Sequence, residues 1–293
     1  MLVMMGSKID TRMRARWAGL AGAAALALAL SVAIAPGAFA ASTVSSNWGG
    51  YVALPAGGAQ QGFRSVSGSW RVPRVSCSAG LDTYSAAWVG LGGYRKSSNA
   101  LEQIGTDADC SRSGRTHYAT WFELIPAAPV RIGMRVHAGE VVAASVTVRG
   151  HDVTFRLRDL DTGARYATTR RVRFLDTSSA DWILEAPSSC DASSCRTLPL
   201  ANFGTMSFLS ATATRGSRTG PVEDPLWSAV AIEMRQGAHQ GRARFANGHA
   251  LASDLITAAP SEAEGELGAF SMIWGEQQLH GEEPSPPTLG EPS

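Results

Sequence analysis

Two short segments of the chain each carry a polar side chain that could do chemistry at the end of an apolar run. Gln103 lies within Leu101–Asp107, and Glu185 ends the segment Ala180–Glu185. A carboxylate can take a proton from a bound water, and a side-chain amide can donate its N–H to a developing oxyanion. If the two groups meet in a groove, they could hydrolyse an acyl bond without a serine or cysteine nucleophile. Taken singly, Gln103 is typical of a solvent-facing strand residue and Glu185 of the solvated end of an edge strand.

Other catalytic signatures are missing from the sequence. It contains no G-x-S-x-G, H-E-x-x-H, Walker or G-x-G-x-x-G pattern, and its six histidines are scattered. A Ser-His-Asp triad stays open, because its members need not be close in sequence. Asp161-Thr162-Gly163 occurs once, between two strand-like runs, and is predicted to be a turn. We expect no metal and no cofactor.

The elements that must position these residues begin after a leader. Four basic residues precede the uncharged run from Trp17 to Ala35, and Ala38-Phe39-Ala40 offers a small-residue cleavage site. This pattern predicts a secretory signal peptide at 1–40 rather than a membrane anchor, and hence a secreted protein. About 250 residues then remain, enough for one domain at 41–275. The Glu/Pro/Gly/Ser-rich stretch 276–293 is predicted to be a disordered tail.

Charge and cysteine content restrict the partners and the compartment. The formal net charge of +1 becomes slightly negative without the leader, and basic and acidic residues are interspersed, so no nucleic-acid partner is expected. The four cysteines suit an oxidising compartment and allow three pairings. Cys190–Cys195 is favoured because it would close a short polar loop, which leaves Cys77–Cys110. A zinc site is the disfavoured alternative.

The remaining pattern is that of strands. The segment from Val141 to Phe174 alternates apolar and polar residues and predicts a three-stranded meander. Turn signals recur at the spacing of an all-β sandwich, and Asn247-Gly248 suits a tight hairpin. A short helix near Leu198 to Asn202 is the only helical candidate. Most tryptophans are expected in the core, whereas Trp88, between small residues, could line a groove.

Six segments, in this order, resemble the glutamic peptidases (eqolisins), and the chain is identified as a bacterial-type member. They are Ser46–Tyr51, Gly68–Pro73, Ala87–Gly93, Leu101–Asp107, Tyr118–Glu123 and Ala180–Glu185. The resemblance covers roughly Ser45 to Trp274, nearly all of the chain after the leader. Each segment alone is weak evidence, but six in the correct order are specific.

The resemblance implies a fold and a site. The fold would be a lectin-like, concanavalin-like sandwich of two large antiparallel sheets. Gln103 and Glu185 would be the catalytic dyad, and the surrounding groove residues, which would bind substrate, would be Trp88, Asp107, Trp121 and Glu123. Cys190–Cys195 falls where fungal members carry a short-loop disulfide. Fungal members have Asp where this chain has Gly92, and aromatics at Leu124–Ile125, which indicates a less aromatic subsite.

The expected function is therefore a secreted acid endopeptidase, monomeric, with a protein or peptide substrate and no membrane attachment after leader removal. A neighbouring acid such as Asp107 or Glu123 would raise a carboxyl pKa and place activity on the acid side of neutral. The eqolisin-like start directly after the leader predicts no sizeable propeptide. Two alternatives remain: a carbohydrate-binding sandwich, and a glycoside hydrolase using Glu123 and Glu185. An amide facing Glu185 would favour the peptidase, and a second acid the glycosidase.

Overall fold

The described part of the protein is built from β-strands. A computed structural model describes residues 41–58, 61–190, 194–235 and 257–275. The predicted leader (1–40), the predicted tail (276–293) and the Asn247-Gly248 hairpin lie outside the described residues. No helix in the described ranges is long and apolar enough to cross a membrane.

Eighteen strands and one 3₁₀ turn, Ala56–Gly58, occur in the described ranges. In chain order the strands are β1 Ala41–Ser45, β2 Trp48–Pro55, β3 Ser65–Arg71, β4 Ala86–Gly92, β5 Leu101–Cys110, β6 Thr116–Ile125, β7 Val130–Ile132, β8 Val141–Arg149, β9 Asp152–Asp159, β10 Arg165–Arg171, β11 Ala180–Glu185, β12 Ser188–Cys190, β13 Cys195–Thr197, β14 Thr205–Arg215, β15 Arg218–Pro221, β16 Trp227–Met234, β17 Ala258–Pro260 and β18 Phe270–Trp274.

Hydrogen bonding joins these strands into one continuous path instead of two separate sheets. Its order is β10-β9-β8-β3-β14-β18-β17-β16-β2-β11-β4-β5-β6-β7, with β15 on β14 and β1 on β16. The β1–β16 pair is parallel, and the other pairs of this sheet are antiparallel. β12 and β13 form a separate hairpin. The all-β prediction is therefore confirmed.

The meander predicted from alternation is confirmed as β8, β9 and β10. Along β9, buried residues such as Phe155 and Leu157 alternate with more exposed ones, as expected for strands with one covered face. The predicted turn at Asp161-Thr162-Gly163 joins β9 to β10, and Gly163 has φ +76, a backbone conformation that favours glycine.

Side chains from strands that are distant in the path meet in the core. The indole N–H of Trp70 on β3 donates to Thr106 Oγ1 on β5 at 3.0 Å, and that of Trp182 on β11 donates to the Ser67 carbonyl on β3 at 2.8 Å. The rings of Phe122 and Phe155 lie 5.0 Å apart between centroids. Strands from the two ends of the path, β3 and β9 at one end and β5, β6 and β11 towards the other, thus share one apolar core.

The predicted helix near Leu198 to Asn202 is wrong. This segment is extended, with isolated bridges from Leu200 to Tyr84 and from Asn202 to Ser76. Pro199 disfavours the helical conformation of the residue before it and cannot donate to a helical hydrogen bond, so the segment adds to the sheet edges instead.

Both predicted disulfides are confirmed. Cys77 is bonded to Cys110, and Cys190 to Cys195. The first ties the loop after β3 to the end of β5, and the second closes the β12–β13 hairpin.

Candidate active site

The register of three strands, β5, β4 and β11, places Gln103 and Glu185 on one face of the sheet. Gln103 pairs with Gly90 on β4, and Gly90 with Asp181 on β11. Directly paired residues of antiparallel strands point to the same face, and so do residues an even number of positions apart along a strand. Glu185 lies four residues beyond Asp181, so it shares that face with Gln103.

This face forms the floor of a cleft of about 520 Å³. Of the six predicted catalytic and groove residues, Gln103, Asp107, Trp121, Glu123 and Glu185 line it. The other lining residues include Asn47, Trp48, Tyr84, Leu101, Asp109, Ile125, Pro129, Arg131, Pro187 and Ser188. The structure therefore brings five of the six together.

Glu185 is half-buried and is held by neutral donors. The Trp88 indole N–H donates to Oε2 at 2.8 Å, and the Asn47 amide donates to Oε1 at 3.2 Å. The pKa of Glu185 is raised to about 7, chiefly by burial and in part by the nearby charge of Glu123, while the Trp88, Trp48 and Asn47 donors oppose the shift. A carboxyl with a pKa near neutrality is well suited to both accept and return a proton.

Gln103 is held by a second acid. Its side-chain nitrogen donates to Glu123 Oε2 at 2.5 Å, between paired residues of β5 and β6. Burial raises the pKa of Glu123, and the Gln103 hydrogen bond lowers it in part. A primary amide carries two N–H donors, so the nitrogen of Gln103 retains one more for another acceptor. Gln103 is only 4% exposed, so little water competes for that donor.

The two predicted dyad residues lie on different strands and line the same cleft. Glu185 is two strands and four residues away from Gln103 in the register. On a flat sheet, this offset would separate their Cα atoms by roughly 17 Å. Glu123, which is hydrogen-bonded to Gln103, acts on Glu185 through its charge. No hydrogen bond joins Gln103 to Glu185 within the described ranges.

A second acidic centre lies further along β5. Asp107 accepts from the Trp121 indole N–H at 2.6 Å and pairs with Arg131 at 2.7 Å. Burial raises the pKa of Asp107, and Arg131 opposes that shift. Asp109, two residues on, accepts the backbone N–H of Ser85, and burial together with the charge of Asp107 raises its pKa to about 7.

Comparison with known proteins assigns the family. The profile of the Peptidase A4 family matches residues 46–244. The chain belongs to this family. It is a glutamic-type peptidase, and its fold is similar to that of scytalido-glutamic peptidase, solved with a transition-state analogue inhibitor.

That structure has 23% sequence identity and a TM-score of 0.60, covering 79% of this chain and 100% of its own. SCP-B, an eqolisin solved with the tripeptide Ala-Ile-His, has 21% identity and a TM-score of 0.56 over the same shares of the two chains. No curated protein sequence matches significantly.

One residue that the glutamic peptidase motifs assign to the groove lies elsewhere. Trp88 is fully buried and does not line the cleft. Its ring lies beside Glu185 on the same face of the sheet, where its indole N–H reaches the carboxylate, and its edge meets Trp48 at 5.0 Å between centroids. Trp88 thus supports the acid while being covered itself. The small residues around it make room for its side chain, since a Cβ on Gly90 would lie 3.0 Å from the Trp88 ring and one on Gly105 2.6 Å from the Trp88 Cβ.

The glycine at position 92, where fungal eqolisins carry Asp, has a local explanation. Gly92 has φ +82, and a Cβ built on it would lie 2.5 Å from the Cβ of Asp176. The Asp176 carboxylate accepts from the Gly93 backbone N–H at 3.1 Å and from the Ser98 hydroxyl at 2.5 Å. Asp176 therefore occupies the space that a side chain at position 92 would need.

Some cleft residues were missed from the sequence. Asn47 was inside a recognised motif but was given no role, although it contacts Glu185 directly. Arg131 and Asp109 carried no sequence signal, because their positions depend on strand pairing and on the alternation along β5. No group of three or more His, Cys, Asp or Glu side chains suited to hold a metal occurs in the described ranges.

Proposed function

We propose that the protein is a secreted acid endopeptidase in which Gln103 and Glu185 form the catalytic dyad. The observation that carries this proposal is that an amide and a carboxylate with a pKa of about 7 share the floor of one cleft. The known glutamic peptidase structures were solved with a transition-state analogue and with a tripeptide, which supports a peptide as the substrate.

The reaction follows from the two groups. Ionised Glu185 takes a proton from a water molecule, whose oxygen forms a bond to the peptide carbonyl carbon. The free N–H of Gln103 donates to the carbonyl oxygen as it becomes negative, and one such donor typically contributes about 3–4 kcal/mol of barrier lowering. Protonated Glu185 then gives its proton to the amine nitrogen, and the C–N bond breaks. Glu185 ends the cycle ionised.

The acid pair sets the pH range. Burial together with the charge of Glu123 raises the pKa of Glu185 to about 7, and burial raises the pKa of Glu123. Glu185 must be ionised to take a proton from water, and its ionised fraction falls as pH drops through about 7, so this titration sets the acid limb of the profile, its low-pH side. We expect acid-side activity close to pH 7, where part of Glu185 is still ionised.

Groups facing Glu185 favour peptide over sugar chemistry. Its direct partners are the Asn47 amide and the Trp88 indole, and Glu123, the acid whose charge acts on it, is bonded to Gln103. A retaining or inverting glycosidase needs two carboxyls free to flank the scissile bond. Here one of them is occupied in orienting an amide.

We further infer a two-layer sandwich, a monomer and export of the chain. The contacts of Trp70 with Thr106 and of Phe122 with Phe155 join distant arms of the strand path, which supports its folding over into two layers. Two disulfides fit an oxidising compartment and support secretion. Leader removal and the absence of a propeptide are testable by sequencing the N-terminus of the exported protein.

The dyad is tested by Glu185→Gln and Gln103→Ala, assayed with casein between pH 2 and 7. Each variant is expected to lose at least about 100-fold in kcat. Glu102→Gln is the matched control, because Glu102 is 1% exposed and next to Gln103 but points to the opposite face. It should stay active. Full activity of folded Glu185→Gln or Gln103→Ala would remove the dyad.

A further inference from the structure

The N-terminal strand reaches the catalytic acid through one hydroxyl group. β1 pairs in parallel with β16, and its last residue, Ser45, pairs with Met234. The backbone carbonyl of Ser45 also accepts the N–H of Arg235 at 2.8 Å. The chain then turns directly into β2 and the cleft.

The Ser45 hydroxyl organises that turn. Its oxygen accepts the backbone N–H of Asn47 at 3.3 Å and that of Trp48 at 3.1 Å, and its hydrogen is donated to Asn47 Oδ1 at 3.2 Å. Because the Ser45 oxygen already accepts two backbone N–H groups, its remaining bond uses its one hydrogen and needs an acceptor, so the end of the Asn47 amide that it contacts is the oxygen. The other end, Nδ2, must then face Glu185 Oε1, 3.2 Å away.

The backbone holds the same arrangement from the other side. The N–H of Ala186 donates to the Asn47 carbonyl at 2.8 Å, next to Glu185 itself. Asn47 therefore has its main chain fixed by β11 and its side chain fixed by Ser45. The hydroxyl therefore holds the amide in the orientation that presents an N–H donor, the group an ionised carboxylate requires.

We propose that Ser45 is a positioning residue of the active site, which acts through Asn47 to stabilise the ionised form of Glu185. The docking of β1 on β16 is then part of the catalytic arrangement and not only a packing contact. This role rests on the proposed function, since it requires Glu185 to be the general base. A carboxyl group that loses an N–H donor has a higher pKa, so a smaller fraction of the molecules has Glu185 ionised at acid pH.

Other charges near Glu185 could also move its titration. The charge of Glu123 on β6 acts on it directly, and Asp107, Asp109 and Arg131 lie along the same cleft. Ser45 contacts none of these side chains in the described ranges, and a change at Ser45 leaves all of them in place. A shift in the titration of Glu185 on that change can therefore be assigned to Asn47.

The test is the pH profile of kcat/KM on an internally quenched peptide. The acid limb is the low-pH side of this profile, where activity rises as Glu185 ionises. Ser45→Ala is expected to move the acid limb upward by about 0.5–1 pH unit, so that kcat/KM at pH values below it falls by about 3- to 10-fold. Ser45→Thr keeps a hydroxyl and should restore the wild-type limb. The matched control is Ser261→Ala, whose hydroxyl accepts the Ser271 backbone N–H at 3.0 Å away from the cleft. Its limb should not move.

A double-mutant cycle separates this role from a purely structural one. If Ser45 acts through Asn47, the Ser45→Ala/Asn47→Ala double variant should have the same limb as Asn47→Ala alone. Additive effects, or an unmoved limb in folded Ser45→Ala while Asn47→Ala shifts, would overturn the proposal. Failure of the proposed function is distinguishable, because it appears as retained activity in Glu185→Gln.

Discussion

Replacing Trp88 by Phe is the sharpest test of how Glu185 is tuned. The indole N–H donates to Glu185 Oε2 at 2.8 Å from a fully buried position. Phenylalanine keeps an aromatic ring at that place but has no donor. The variant therefore removes one hydrogen bond to the acid while leaving the other cleft side chains unchanged.

The size of the effect follows from the charge on the acceptor. A hydrogen bond to a charged group contributes about 1.5–3 kcal/mol, and one pKa unit corresponds to about 1.4 kcal/mol. The pKa of Glu185, already about 7, should therefore rise by about 1–2 units. Since the base must be ionised, kcat/KM below the acid limb should fall by about 10- to 100-fold.

The assay is the pH dependence of kcat/KM with a quenched peptide, measured beside a matched control. Trp70→Phe also removes one buried indole donor, the 3.0 Å bond to Thr106, but in the core away from Glu185. Both variants should lose stability, and only Trp88→Phe should shift the acid limb. An active Trp88→Phe enzyme whose limb coincides with that of Trp70→Phe would refute the reasoning.

Three further changes have defined outcomes. Glu123→Gln removes a like charge, so the pKa of Glu185 should fall and the acid limb should move down by up to ~1 unit, whereas an upward shift would contradict the coupling. Replacing Cys77 and Cys110 by serine should cost roughly 3–4 kcal/mol of unfolding free energy in urea, as expected for a 33-residue separation. Gly105→Ala should lower stability by ~3 kcal/mol, because its Cβ would lie 2.4 Å from a backbone oxygen of β4, and an unchanged melting temperature would show that the strands can separate there.

The strands were predictable because alternation is a local property. The run from Val141 to Phe174 shows the period of two directly in its residues, and the meander formed there. The helix predicted near Leu198 is wrong because Pro199 disfavours the helical conformation of the residue before it. The continuous strand path was not readable, because strand order depends on pairings between residues far apart in the sequence.

The site was predictable only in part, for a related reason. Gln103 and Glu185 were found through motif resemblance, and the even spacing along each strand agrees with a shared face. Their position in one cleft depends on strand order and register, which no single segment encodes. Asn47 could have been found, because it lies beside Trp48 in a recognised motif and an amide there can serve an acid on the neighbouring strand.

The cleft floor also explains why Glu185, and not Asp107, is the better base. Both acids lie in one cross-strand row, and Trp88 and Trp121 lie in the next row with Gly105 between them. Each indole donates to one of the two acids. The second oxygen of Asp107 is paired with a cation, Arg131, which holds the carboxylate in place and weakens it as a proton acceptor.

Glu185 has a neutral amide at the corresponding position and no cationic partner in the described ranges. Its charge is therefore oriented but not neutralised, and its pKa stays raised by burial. A proton taken from water can be held there and then released to a departing amine. Introducing a cation beside it, as in Asn47→Lys, should lower that pKa and make Glu185 a weaker base for taking a proton from water in the first half of the reaction.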